Sequence, residues 1–62
     1  MTTQAQIDNY TMGALAFMPS LDKDQITAMA MLHFDTFYDD TKPMVEKALQ
    51  SIHKSEEALN DS

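Results

Sequence analysis

Cysteine, arginine and tryptophan are absent from this 62-residue chain, which has a single glycine and two prolines. The lack of cysteine excludes disulfides, iron–sulfur clusters and thiolate zinc sites. No uninterrupted apolar run is longer than that from Ala28 to Leu32, which is far shorter than the ~20 residues that a membrane-spanning helix needs. The N-terminal residues have neither the basic stretch nor the apolar run of a secretion signal. We therefore expect a cytoplasmic protein.

The small size of the chain limits the core that it can form. A domain of this length buries only about 60% of the surface that its unfolded chain exposes. Natural domains of this size usually gain stability from disulfides, metals or oligomerisation. Disulfides are excluded, and two histidines offer few ligands for a metal. We therefore expect one domain, 1–62, that forms a homodimer or higher oligomer.

The charge is mostly of one sign. Four lysines stand against ten carboxylates, for a formal net charge of −6. Affinity for DNA or RNA comes largely from lysine and arginine neutralising phosphates, so direct nucleic-acid binding is not expected, nor is binding to an anionic membrane. A basic protein surface is the partner that this charge favours.

The residues that are present favour helices. Ala, Met, Leu, Gln, Lys and Glu are good helix formers, and tight β-hairpins usually need more glycine than this chain has. Proline disfavours helix in the residue before it, so the segments around Pro19 and Pro43 divide the chain into three parts. We predict an all-α domain whose second and third helices pair as an antiparallel hairpin. The predicted helices cover about 4–17, 23–39 and 43–59.

Local signals mark two helix starts. Asp22 and Gln25 fit the N-cap and N3 positions of a capping box at the start of the second helix. Pro43 is suited to the first turn of the third helix, where its missing N–H costs nothing. Gly13 interrupts the first helix, either as a weak point or as a place where another helix comes close.

The apolar arc of the second helix spans roughly 200°, against the ~100° stripe of an ordinary surface helix. Such a helix needs more than one neighbour, and a second copy of the chain is one candidate. The predicted oligomer interface consists of Ile26, Met29, Ala30, Val45, Leu49, Ile52 and Glu56. Glu56 interrupts the apolar stripe of the third helix. It is either hydrated beyond the end of the core or paired with Lys23 or Tyr38 across the interface.

Methionine and aromatic side chains cluster late in the second predicted helix, beside carboxylates. This surface is either the core of a helical bundle or a patch for a partner, since Met, Phe and Tyr are enriched in both. Asp39 and Asp40 lie at the predicted C-terminus of this helix, where the dipole disfavours carboxylates, so we expect them to serve a partner. The predicted partner-binding residues are Met31, Phe34, Asp35, Phe37, Tyr38, Asp39 and Asp40.

Metal binding and catalysis have little basis in the sequence. His33 and Asp35 lie roughly 160° apart on a helix, so they do not converge on one ion. His53 has carboxylates nearby on its own helix, but the second ligand-bearing helix of a di-iron site is missing. No cysteine nucleophile or phosphate-binding loop is present, and a chain this small offers little room for a pocket of several hundred Å³. We expect no enzyme activity, catalytic residue, metal or cofactor.

Three functional hypotheses remain. The first is a non-enzymatic protein-binding module, a small acidic regulator or inhibitor that covers a surface on a larger protein. The second is a nucleic-acid mimic, whose carboxylates stand in for phosphates and block a DNA- or RNA-binding protein. The third is a structural or assembly subunit of a larger complex.

Overall fold

A computed structural model of the chain describes the backbone of residues 2–60 and the side chains of residues 2–55. Across that part of the chain the protein contains three helices and no strand. The helices are α1 (Gln4–Phe17), α2 (Lys23–Phe34) and α3 (Tyr38–Asn60). The prediction of an all-α domain with three helices is therefore confirmed.

The first helix has the predicted bounds. A capping box starts it: the Gln6 N–H donates to Thr3 Oγ1 at 3.3 Å, and the Thr3 N–H donates to Gln6 Oε1 at 2.9 Å. The helix continues through Gly13 without a positive φ, and a Cβ added at this glycine would meet nothing within 4 Å. Gly13 is therefore neither a break nor a close contact within the chain.

The start of α2 is as predicted, but its end is not. The Gln25 N–H donates to Asp22 Oδ1 at 2.8 Å, and the Asp22 N–H donates to Gln25 Oε1 at 3.0 Å, which confirms the capping box. The helix was predicted to run to residue 39, yet it ends at Phe34. Asp35 adopts the left-handed conformation, with φ 54° and ψ 55°. Aspartate is one of the few L-residues that tolerate this region, which is how the chain turns here without a glycine.

The third helix starts five residues earlier than the predicted Pro43. Pro43 lies in its second turn, where the missing N–H leaves the carbonyl of Asp39 without its usual partner. Phe37 precedes the helix, and its carbonyl accepts from the Thr41 N–H at 3.0 Å and from Thr41 Oγ1 at 2.8 Å. These two bonds close the first turn of α3 before the proline.

All three helices contribute to the core. The buried apolar residues are Ile7 from α1, Ile26 and Ala30 from α2, and Val45 and Ala48 from α3. The third helix packs against both shorter helices, which touch each other less. The Gln4 side chain donates to the Met44 carbonyl at 2.8 Å, and a half-exposed Lys23–Glu46 ion pair joins α2 to α3 at 3.5 Å.

The predicted oligomer interface is divided by this packing. Ile26, Ala30 and Val45 have no exposed surface, because they lie in the core that the three helices share. Met29, Leu49 and Ile52 are partly exposed. The seventh residue, Glu56, lies outside the described side chains. The oligomeric state and the antiparallel geometry of α2 and α3 stay predictions.

Candidate protein-interaction surface

The turn between α2 and α3 presents aromatic side chains to solvent. We call residues 35–40 the α2–α3 corner. Phe37 is 78% exposed and Tyr38 is 42% exposed. Asp35, Asp39 and Asp40 are also exposed. The predicted second helix covered residues 35–39 of this corner, but α2 ends at Phe34, and Phe37 lies in the turn that follows.

Hydrogen bonds hold the corner in one conformation. The Thr36 N–H donates to the Met31 carbonyl at 3.0 Å, which satisfies one of the last carbonyls of α2. The hydroxyls of Thr36 and Thr41 bond to each other, and Thr41, which is 1% exposed, also bonds to the carbonyl of Phe37. The exposed Phe37 therefore stands on a backbone that is fixed on both sides.

A lysine lies within the corner's aromatic surface. Lys42 Nζ is 5.6 Å from the centre of the Tyr38 ring, one helical turn away. A cation–π contact at an exposed site contributes about 0.5–1 kcal/mol. The contact orders the Tyr38 ring on the surface of α3 and places one positive charge beside the carboxylates.

Two carboxylates of the corner stabilise the start of α3, which the predicted helix bounds did not indicate. Asp39 and Asp40 are in the first turn of α3, where the helix dipole favours negative charge. The prediction that they sit at an unfavourable helix C-terminus was therefore wrong. Their presence is explained by α3 itself, so a partner is not needed to account for them.

Two of the predicted partner-binding residues, Met31 and Phe34, are only partly exposed, and Phe34 packs against the core. The Phe34 ring packs edge-on against His33 and Tyr10, with centroid distances of 4.6 Å and 5.5 Å. The His33 ring lies 4.8 Å from that of Tyr10. This cluster joins α1 to α2, which leaves Phe37 and Tyr38 as the exposed aromatic residues of the predicted set.

Other large apolar side chains are exposed that the sequence did not single out as a surface. Leu32 is 87% exposed on α2, and Phe17 is 86% exposed at the end of α1. Met12 and Met18 are 56% and 41% exposed. Phe17 is the last residue of α1, and Met18 follows it as the C-cap.

An open groove of about 450 Å³ lies between α1 and α3. The prediction that so small a chain has little room for a cavity of several hundred Å³ was wrong, because the groove is open along its length and is not enclosed by the core. Most of its lining atoms are apolar. The lining residues are Asp8, Met12, Leu15, Ala16, Ala48, Ser51, Ile52 and Ser55.

In the described part of the chain, no three His, Asp or Glu side chains lie close enough together to hold a metal ion. No described helix combines the length and the apolar character needed to cross a membrane.

Comparisons with known proteins returned no match to a family model, to a curated protein or to a solved structure.

Proposed function

We propose that this protein is a non-enzymatic protein-binding module, a small acidic regulator or inhibitor whose α2–α3 corner covers a surface on a larger protein. One observation supports the proposal: Phe37 is 78% exposed in a turn whose neighbouring residues are hydrogen-bonded, and three exposed carboxylates belong to the same corner. We also propose a cytoplasmic location and an antiparallel arrangement of α2 and α3, as predicted from the sequence.

The energetic argument starts from Phe37. An aromatic residue buries about 150–250 Å² when it is covered, and such residues dominate the binding energy of many interfaces. Because the backbone around Phe37 is already fixed, little conformational entropy is lost when a partner covers the ring. Phe37 is therefore suited to be an anchor, with the Tyr38 ring beside it.

The charge of the corner indicates the chemistry of the partner. Asp35, Asp39 and Asp40 are exposed and flank the aromatic pair in the sequence, against the single cation of Lys42. Complementary charge at the edge of an interface raises the association rate more than the affinity. The fitting partner is a protein with an apolar pocket edged by lysine or arginine.

Affinity capture with matched variants tests the anchor. The bait is the wild-type protein, Phe37→Ala or Phe17→Ala, and retained proteins are quantified by mass spectrometry. Phe17 is a matched control because it is similarly exposed but lies at the C-terminal end of α1, outside the α2–α3 corner. We expect one protein to be retained by wild type and Phe17→Ala, with affinity for Phe37→Ala reduced about 30-fold, the loss for a hot spot of about 2 kcal/mol. Equal retention by both variants would contradict the proposal.

Neutralising the carboxylates tests the steering role. Asp39→Asn with Asp40→Asn removes two charges and keeps side chains of the same shape. With the captured partner, we expect a slower association rate and a weaker dependence of that rate on salt, while the dissociation rate changes little. An unchanged association rate in low salt would refute steering.

The other two hypotheses predict different outcomes of the same capture. A nucleic-acid mimic would retain a DNA- or RNA-binding protein, and added nucleic acid would displace it. An assembly subunit would retain the components of one complex, and the isolated chain would unfold without a cooperative transition.

A further inference from the structure

The connection between α2 and α3 is short and has an unusual backbone. It consists of residues 35–37, none of which is glycine or proline. Asp35 has φ 54° and ψ 55°, and among the described residues it is the only one with a positive φ. The left-handed conformation is less stable than the right-handed one for an L-residue, although aspartate tolerates it better than most. Helical angles at these three positions would remove that cost and join α2 to α3 in one helix.

The side chains around the connection fit such a continuous helix. Phe34, Phe37 and Tyr38 have i, i+3, i+4 spacing, which places them on one face when the helix is unbroken. In the bent chain Phe37 is 78% exposed and Tyr38 is 42% exposed. Straightening would bring both rings to the face of Phe34, which packs against Tyr10 and the core.

The hydrogen bonds of the connection have helical replacements. In the bend the Thr36 N–H donates to the Met31 carbonyl, and the Thr36 and Thr41 hydroxyls bond to each other. In a continuous helix the Thr36 hydroxyl would donate to the carbonyl four residues earlier, as Thr27 does to Lys23 within α2. The last carbonyls of α2 and the first N–H groups of α3 would bond to one another. Straightening therefore exchanges hydrogen bonds and does not simply break them.

A straightened chain cannot keep its own core. The bend returns α3 to α1 and α2, and α3 packs against both. In one continuous helix α3 extends away from α2, so Val45 and Ala48 leave the core that they share with Ile7 and Ile26. A second copy of the chain presents the same α1 and α2 surface. Every core contact of α3 is thus available between two chains, and short, strained connections favour this exchange.

We propose that the chain forms a domain-swapped homodimer with two-fold symmetry, in which α2 and α3 straighten into one helix. In this dimer α3 of each protomer packs against α1 and α2 of the other. The occupant is a second copy because the exchanged contacts are those that the monomer already makes. The dimer has no α2–α3 corner, so a protein bound at the corner would favour the monomer. The exchange goes beyond the proposed function, and its test needs no other protein.

Substitutions at Asp35 test the hinge, with sedimentation after refolding at a range of concentrations. Asp35→Ala and Asp35→Gly remove the same charge but act in opposite directions, since alanine favours the helix and glycine favours the left-handed bend. We expect a dimer dissociation constant about 25-fold lower for Asp35→Ala, about fivefold for each of two hinges, and about tenfold higher for Asp35→Gly. The matched control is Asp24→Ala in the first turn of α2, which should leave the constant unchanged.

Zero-length crosslinking tests whether α3 is exchanged. Lys23 Nζ on α2 lies 3.5 Å from Glu46 Oε1 on α3, so a carbodiimide can couple the two side chains through an amide. The dimer is refolded from equal amounts of unlabelled and ¹⁵N-labelled chains, and the crosslinked peptides are weighed by mass spectrometry. We expect half of the Lys23–Glu46 crosslinks in the dimer to join a labelled chain to an unlabelled one.

Three results would overturn the proposal. One is that wild type and Asp35→Ala are both monomers at millimolar concentration. The second is a dimer whose Lys23–Glu46 crosslinks always join peptides of the same label, which would mean that intact monomers associate. The third is a dimer of Asp35→Gly as stable as that of Asp35→Ala, which would exclude the hinge. Circular dichroism verifies that the variants are helical. If Asp35→Ala does not fold, the weaker dimer expected for Asp35→Gly relative to wild type is the deciding comparison.

Discussion

The three buried threonines give a prediction that depends on hydrogen bonds and not on volume. Thr11, Thr27 and Thr41 are each 0–1% exposed and each lies within a helix. The Thr27 hydroxyl donates to the Lys23 carbonyl at 2.8 Å, and the Thr41 hydroxyl bonds both to Phe37 and to Thr36. The Thr11 hydroxyl has no hydrogen-bond partner among the described residues. Replacement by valine keeps the shape and removes the hydroxyl.

The three valine substitutions should therefore change the free energy of unfolding in different directions. A buried hydroxyl without a hydrogen bond costs about 1–3 kcal/mol, so Thr11→Val should raise the free energy of unfolding by about 1–2 kcal/mol. Thr41→Val should lower it by about 1–2 kcal/mol, since the Thr36 hydroxyl loses its partner while the Phe37 carbonyl keeps its bond from the Thr41 N–H. Thr27→Val should lower it by at most about 1 kcal/mol, because the Lys23 carbonyl is also the acceptor of a backbone bond within α2. Valine and threonine have similar helix propensities, so this term cancels.

Urea denaturation followed by circular dichroism measures these differences in the free energy of unfolding. The slope of that free energy against urea concentration, m, should be the same for all variants. In a chain of this size, 1 kcal/mol corresponds to a change of roughly 4–8 °C in Tm. The reasoning is refuted if Thr11→Val destabilises the protein as much as Thr41→Val does. That result would mean that Thr11 has a partner, such as a buried water, in solution.

Two further predictions concern the ends of α2. Asp22→Ala should lower the free energy of unfolding by about 1 kcal/mol because Gln25 N–H loses its acceptor, whereas Asp22→Asn should change it little; an equal loss in both would rule out the cap. Asp35→Gly should raise the stability by up to about 1 kcal/mol, since glycine adopts the left-handed conformation freely, and Asp35→Val should lower it by at least about 1 kcal/mol. Urea denaturation of both Asp35 variants measures this, and a loss on substitution by glycine would contradict the assigned backbone conformation.

The start of α2 could be predicted, because the chemistry that starts a helix is local. The Asp22 and Gln25 pair is visible in the sequence, and the structure contains both of its hydrogen bonds. The boundary between α2 and α3 could not be predicted in the same way. The helix ends at an aspartate in the left-handed conformation, with no glycine or proline beside it, while Pro43 is accommodated inside α3.

The candidate site depends on that boundary. Phe34, Phe37 and Tyr38 have the i, i+3, i+4 spacing of one continuous helix, so the sequence assigned them to one face. The turn at Asp35 separates them: Phe34 packs against Tyr10, and Phe37 is exposed. The same limit applies to the wide apolar arc of α2. A helical pattern shows that Ile26 and Ala30 must be covered, but it does not show whether α1 or a second chain covers them.

The central claim is that Phe37 anchors a protein partner at the α2–α3 corner. The most direct measurement is photo-crosslinking with Phe37 replaced by p-benzoylphenylalanine, beside the same replacement at the equally exposed Phe17. The account predicts a crosslink from position 37 to one protein, suppressed by excess wild-type chain but not by excess Phe37→Ala. Crosslinks of equal yield from both positions, or a crosslink at position 37 that Phe37→Ala suppresses as well as wild type, would contradict it.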